Sequence, residues 1–253
     1  MLFHPASARF AFGTLAALTV FSASAKDLTV SAAASLKDAF QEIGSAYNRQ
    51  YPDVHIRLNT AGSGALVQQL LQGAPVDVLA TADQQSMDMA AAQNAIDKSS
   101  RQTFVRNDLV IAIPQGSRLA IKQLADLNQP AVKRIALSNP NSVPVGRYGK
   151  AALDKARLYG AVAPKIIQTQ NVRQSLDYVA RGEVDAGLVY RTDAALMADK
   201  VKAAAVIPTT PPVTYPIAAA TASTQKAEAL RFIRFVQSEQ GRGILNKYGF
   251  ARP

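Results

Sequence analysis

Two serines in this chain stand where a strand gives way to a helix, a position that suits an anion. Ser35 follows Leu28–Thr29–Val30–Ser31–Ala32–Ala33, whose apolar and β-branched residues predict a short buried strand ending near Ala33. From Ser35 onward, Leu36, Phe40, Ile43 and Tyr47 recur three or four residues apart and predict a helix. The first turn of a helix offers unpaired N–H groups and the positive end of its dipole, and both favour negative charge. A serine there is also a common N-cap, so Ser35 alone leaves both roles open. Ser63 repeats the arrangement. Val54–His55–Ile56–Arg57–Leu58 predicts a strand, Gly62–Ser63–Gly64 the turn, and Leu66, Leu70 and Leu71 the helix. The flanking glycines let the backbone come close to a ligand. Gly62 and Gly64 fit the first two positions of a dinucleotide fingerprint, but Val67 stands at the third.

Three more candidates come later. Val143–Pro144–Val145–Gly146 precedes a helical pattern carrying Ala151, Leu153 and Ala156, and Asn171–Val172–Arg173 begins another through Val179. The amides of Val145 and Val172 are therefore expected as first-turn donors. Tyr190 ends the apolar run Val184–Asp185–Ala186–Gly187–Leu188–Val189, so its hydroxyl either faces a crevice or is satisfied in the core. None of these five residues is acidic. A fully ionised dianion carries no proton and needs donors only, whereas a carboxylate would repel it or select a protonated ion. Arg173 reads as a flanking charge.

The elements that must position these groups alternate strand and helix. After the two serine turns, Gly73 and Pro75 end a helix, Val76–Ala80 predicts a buried strand, and Asp83 is expected to cap a helix through Met87 and Ala91. This order predicts a parallel sheet with covering helices, whose carboxyl edge is where open α/β sheets bind ligands. The β-rich segment Thr103–Pro114 is long enough to cross between two lobes. A second series follows: strands at Ile135–Ser138, Lys165–Gln168 and Val184–Tyr190, with Thr192–Asp193 expected to cap the next helix. Residues 208–216 read as a connector. A single closing helix with Ala229, Phe232, Phe235 and Val236 is expected to pack on the first lobe. The expected division is a signal segment at 1–25, a discontinuous first lobe of 26–105 plus 216–253, and a second lobe of 106–215.

Composition narrows the chemistry. With 253 residues, 48% hydrophobic and 18% charged, the chain has ample material for a core. It has no cysteine and only two histidines, His4 and His55, which argues against thiolate sites, a histidine-rich metal site and a Ser–His triad. The formal charge of +10 is scattered rather than clustered, unlike a nucleic-acid-binding surface; it would favour collecting an anion. Arg9, the apolar run Phe10–Phe21 and Ala23–Ser24–Ala25 predict a secretory signal cleaved after Ala25, with a run too short to span a bilayer. Ser223–Thr224–Gln225–Lys226 fits S-x-x-K, but its companion motifs are missing, and Ser223 or Thr224 is better read as a helix cap.

Taken in order, several of these motifs carry a resemblance. Ala32–Ala33–Ala34–Ser35–Leu36, Gly62–Ser63–Gly64–Ala65–Leu66, Gly73–Ala74–Pro75–Val76–Asp77 and Ala82–Asp83–Gln84 resemble motifs of the periplasmic molybdate-binding proteins of ABC transporters. So do Val143–Pro144–Val145–Gly146–Arg147–Tyr148, Asn171–Val172–Arg173, Gly187–Leu188–Val189–Tyr190 and Lys247–Tyr248–Gly249–Phe250. The resemblance covers residues 27–251. It implies an α/β, type II periplasmic binding fold in which two lobes close on a tetrahedral oxyanion, molybdate or tungstate. The metal would be bound as its oxyanion, with no protein-coordinated cation and no cofactor. It further implies donors from Ser35 and Ser63 (hydroxyl and amide), Val145 and Val172 (amide) and Tyr190 (hydroxyl). Members of the family commonly carry alanine where Val145 stands. A monomeric periplasmic protein serving a membrane permease and its ATPase is expected, with no catalytic activity, nucleic-acid binding or membrane insertion. Another tetrahedral oxyanion such as sulfate is the alternative ligand.

Overall fold

A computed structural model describes residue 1 and residues 26–253. The predicted signal segment therefore lies outside the described residues, apart from Met1. The chain runs through β1 (Lys26–Ala33), α1 (Lys37–Gln50), β2 (Val54–Ala61), α2 (Ser63–Leu71), β3 (Val78–Ala80), α3 (Gln84–Ala92) and β4 (Gln102–Asn107). It continues with β5 (Leu109–Pro114), β6 (Ile135–Ser138), α4 (Pro144–Lys155), α5 (Tyr159–Val162), β7 (Ile166–Thr169), α6 (Val172–Ala180), β8 (Ala186–Tyr190), α7 (Arg191–Leu196) and β9 (Val201–Ile207). It returns through β10 (Val213–Ala219), α8 (Lys226–Val236) and α9 (Glu239–Lys247).

These strands form two sheets of matching plan, β2-β1-β3-β10-β4 and β7-β6-β8-β5-β9. In the first, β1 runs parallel to β2 and β3, as the strand–helix alternation predicts, while β10 lies antiparallel between β3 and β4. In the second, β6 is parallel to β7 and β8, and β5 is antiparallel to β8 and β9. The chain changes sheets at Asp108 and again across residues 208–212. Strands inside a sheet covered on both faces should be apolar throughout, and β5 and β8 are buried along almost their whole length. The edge strand β9 mixes buried, half-buried and exposed residues. It carries three alanines with weak strand preference, which is why periodicity gives no warning of it.

The returning helix α8 packs on the first lobe, and Ala229, Phe232, Phe235 and Val236 are all buried there. Phe232 meets Tyr47 edge-to-face at 5.3 Å between centroids and Phe40 at 6.2 Å, geometries that aromatic quadrupoles favour. The expected single closing helix is in fact two. Ser238 interrupts it by accepting a bond from the Gly241 amide, which starts α9.

The carboxyl ends of β1 and β2 face those of β6, β7 and β8 across the gap between the sheets. There the two halves touch backbone to backbone: the Gly64 amide donates to the Ser142 carbonyl at 2.9 Å. A Cβ on Gly64 would stand 2.5 Å from that oxygen, so only glycine permits the approach. Gly64→Ala should therefore hold the halves apart. Hydrogen exchange is expected to rise around residues 61–66 and 140–146 while β1 and β6 keep their protection; wild-type exchange in both loops would count against this contact.

Candidate functional site

Between the two sheets lies a small cavity of about 10 Å³. Ser35, Ser63, Val145, Val172 and Tyr190 all line it, together with small or apolar neighbours such as Ala82 and Pro144. Each comes from the end of a different strand, two from the first half and three from the second: Ser35 and Ser63 follow β1 and β2, whereas Val145, Val172 and Tyr190 belong with β6, β7 and β8.

Ser35 is not a helix cap. It sits in a single 3-10 turn, Ala34–Leu36, ahead of α1, and neither helix start has a side-chain cap. Its Oγ instead lies 3.0 Å from the Tyr215 hydroxyl. Ser63 is the first residue of α2; its Oγ accepts from the Ala82 amide at 3.0 Å, which leaves its proton available to the cavity. Val145 is the second residue of α4, after Pro144, and Val172 the first of α6. Amides at these positions have no intrahelical acceptor. Asn171 caps α6 through its side chain, which accepts from the Gln174 amide at 3.0 Å.

Tyr190 is 1% exposed, and its hydroxyl is one of the few buried polar atoms among the described residues without a hydrogen-bond partner. It is thus a core residue whose hydroxyl is not satisfied there. A buried unpaired hydroxyl costs about 1–3 kcal/mol, so one aimed at a cavity marks a place for a ligand. Burial pushes its phenol well above the ordinary value, which keeps it protonated and able to donate. Tyr215 is also fully buried and raised for the same reason. In the sequence Tyr215 falls within the connector of residues 208–216 and Asn107 within the segment Thr103–Pro114, and neither position suggests a role at the site. A lone tyrosine in an apolar strand carries no periodic signal that separates it from core.

Charged side chains stand outside the cavity, and none lines it. Two arginines of the second half instead tie it to the first. Arg147 in α4 donates to Asp83 and to the Ser86 hydroxyl, each at 2.7 Å, and Asp83 also caps α3, as predicted, through the Ser86 amide. Arg173 in α6 pairs with Asp38 at 2.7 Å and Asp193 at 2.5 Å, and donates to the Ser35 carbonyl at 3.3 Å. It is a flanking charge that braces the Ser35 turn. Thr192–Asp193 does not cap α7, which begins at Arg191; Asp193 is taken by Arg173 instead. The Ser223 hydroxyl donates to Asp77 at 2.6 Å and accepts from the Gln225 amide, a local turn rather than the expected helix cap. Its proton is committed to a carboxylate and Lys226 does not engage it.

Asp193 is fully buried, and burial raises its carboxyl to about 6 against the opposing pull of Arg173 and the added push of Asp38. An acid raised above its unfolded value of 3.8 holds its proton more tightly when folded, so stability falls as pH climbs from that value through the folded one. Arg173→Met leaves this carboxylate alone and should cost about 3–5 kcal/mol in urea denaturation at neutral pH. The loss is expected to be smaller at pH 5 than at pH 8. An equal deficit at both would show that Asp193 does not depend on Arg173.

The family of bacterial extracellular solute-binding proteins matches residues 28–251. A curated relative, the molybdate-binding protein ModA of Haemophilus influenzae, is 32% identical over 236 residues, covering 91% of this chain and 92% of that one. Among solved structures, the periplasmic molybdate-binding protein of Azotobacter vinelandii superposes with a TM-score of 0.81 at 22% identity, over 89% of this chain and 99% of that one. The sulfate-binding protein SubI of Mycobacterium tuberculosis gives 0.76 at 18%, over 90% and 87%. At these identities the two structures share the fold, that of two-lobed periplasmic binding proteins. The chain belongs to the bacterial extracellular solute-binding protein family, and it is a binding protein rather than an enzyme.

Proposed function

We propose that this chain captures molybdate, and tungstate alongside it, in the periplasm and delivers the oxyanion to the permease and ATPase of an ABC transporter. On this proposal the N-terminal segment is a signal removed after Ala25, and the two halves close on the ion as a monomer. One observation carries it: five donor-capable groups from two halves of the molecule, at Ser35, Ser63, Val145, Val172 and Tyr190, converge on one cavity that no charged side chain lines. A naked dianion accepts at every oxygen and gives nothing back, so such a lining suits it. Helix starts and hydroxyls hold buried anions without a counter-charge. An amino acid or organic acid would instead call for an arginine fork on its carboxylate, and both arginines near the cavity are held by aspartates. The molybdate-binding relative, similar over nearly its full length, supports the same ligand.

Calorimetry tests the proposal. Ser35→Ala, Ser63→Ala and Tyr190→Phe each remove one bond to a charged ligand, a loss of about 1.5–3 kcal/mol or roughly tenfold and more in affinity. Unchanged molybdate affinity in all three variants would reject the site. A thermal-shift panel of molybdate, tungstate, sulfate and phosphate on the wild-type protein names the ligand. Stabilisation by molybdate and tungstate is expected, and a response to sulfate alone would replace them.

A further inference from the structure

We infer that Asn107 and Tyr215 are positioning residues that fix the direction of the Ser35 hydroxyl, holding it as a donor toward the cavity and disfavouring oxyanions that carry a proton. The inference rests on the proposed anion site and deepens it, because neither residue lines the cavity.

The direction follows from one backbone group. The Asp108 amide donates to Asn107 Oδ1 at 2.9 Å, which settles which end of the carboxamide is the oxygen. Asn107 Nδ2 then has two protons and no lone pair to offer. It donates one to the Thr192 hydroxyl at 2.9 Å and the other to the Tyr215 hydroxyl at 3.2 Å. The Tyr215 oxygen is thereby an acceptor from Asn107, and its own proton needs a destination. Tyr215 is fully buried, and its one other hydrogen-bond contact among the described residues is Ser35 Oγ at 3.0 Å. Any other arrangement leaves a buried proton unsatisfied, which is costly. Tyr215 therefore donates to Ser35, and the Ser35 proton is directed onward, to the cavity that Ser35 lines. The result is a one-way chain, Asn107 to Tyr215 to Ser35 to ligand, in which each bond polarises the next.

The position of the chain in the fold gives it a second property. Asn107 is the last residue before the chain crosses to the second sheet, Tyr215 lies on the strand that crosses back, and Thr192 belongs to α7 of the second half. The relay is thus anchored where both connections between the halves run. With its proton directed to the cavity and one of its two lone pairs taken by Tyr215, Ser35 is a poorer acceptor for a ligand oxygen that bears a proton while this chain is intact. Without the Tyr215 proton the serine hydroxyl can turn, and its lone pairs become available to a protonated oxyanion.

A double-mutant cycle on the purified protein tests this by calorimetry with molybdate and by displacement with inorganic phosphate. Tyr215→Phe should weaken molybdate roughly five- to tenfold when Ser35 is present, and by less than about twofold in the Ser35→Ala background. The affinity for phosphate relative to molybdate should rise by about threefold or more in Tyr215→Phe, a change that a general loosening of the cavity would not produce. The same molybdate loss in both backgrounds, or an unchanged phosphate-to-molybdate ratio, overturns the relay. Ser35→Ala on its own separates the two levels: if it leaves molybdate affinity intact, the anion site itself fails and the relay with it, whereas a loss there combined with additive Tyr215→Phe behaviour removes the relay alone.

Discussion

On the proposed function, taking a doubly charged anion out of water is the constraint from which the other features of the structure follow. Even a single buried charge costs several kcal/mol after the protein relaxes, and that must be offset by donors already in place. Free backbone amides occur in quantity only at helix starts. The fold supplies them by ending β1, β2, β6 and β7 at one gap, where each strand turns into a helix whose first residues point back at it. The doubled sheet plan brings two such edges face to face. Glycine at position 64 lets them meet closely enough to share a backbone hydrogen bond. On the proposed function, hydroxyl and amide donors would disperse the charge of the ion without any full positive charge.

The placement of formal charge serves the same end. Asp83 and Asp193 are buried close to the cavity, where a bare carboxylate would repel the proposed ligand. Each is held by an arginine of the second half, which neutralises the negative charge; Arg147 with Asp83, and Arg173 with Asp38, also attach one half to the other. Arg173 also braces the carbonyl of Ser35. The cavity wall is left neutral while its surroundings are strongly paired. A net positive charge of the kind the sequence carries would act at longer range and favour the approach of anions.

Much of this was legible before the fold was known, for physical reasons that differ from residue to residue. Gly62–Ser63–Gly64 and Asn171–Val172 could be read because a strand–helix junction has a local signature: apolar alternation, a small or capping residue, then a 3.6-residue period. The cap at Asp83 is of that kind and is present. The caps expected at Thr192–Asp193 and Ser223, and the cap that was one of two roles open to Ser35, are absent, because another partner claims each side chain: Arg173, Asp77 and Tyr215 respectively. Local preference loses to tertiary pairing there, and nothing in a linear pattern announces the partner. The same holds for β9, whose strand is imposed by pairing with β5, and for Asn107 and Tyr215, whose contacts with each other and with Ser35 span more than a hundred residues. The break between α8 and α9 was written in Ser238, but the apolar period ran through it.

The most direct measurement of the central claim is a crystal structure grown with molybdate, with the ion located by anomalous scattering from molybdenum. The account predicts one peak in the cavity, with its oxygens within hydrogen-bond reach of the Ser35, Ser63 and Tyr190 hydroxyls and the Val145 and Val172 amides. A peak lying elsewhere, or one whose oxygens contact a carboxylate such as Asp83 or Asp193, would contradict it.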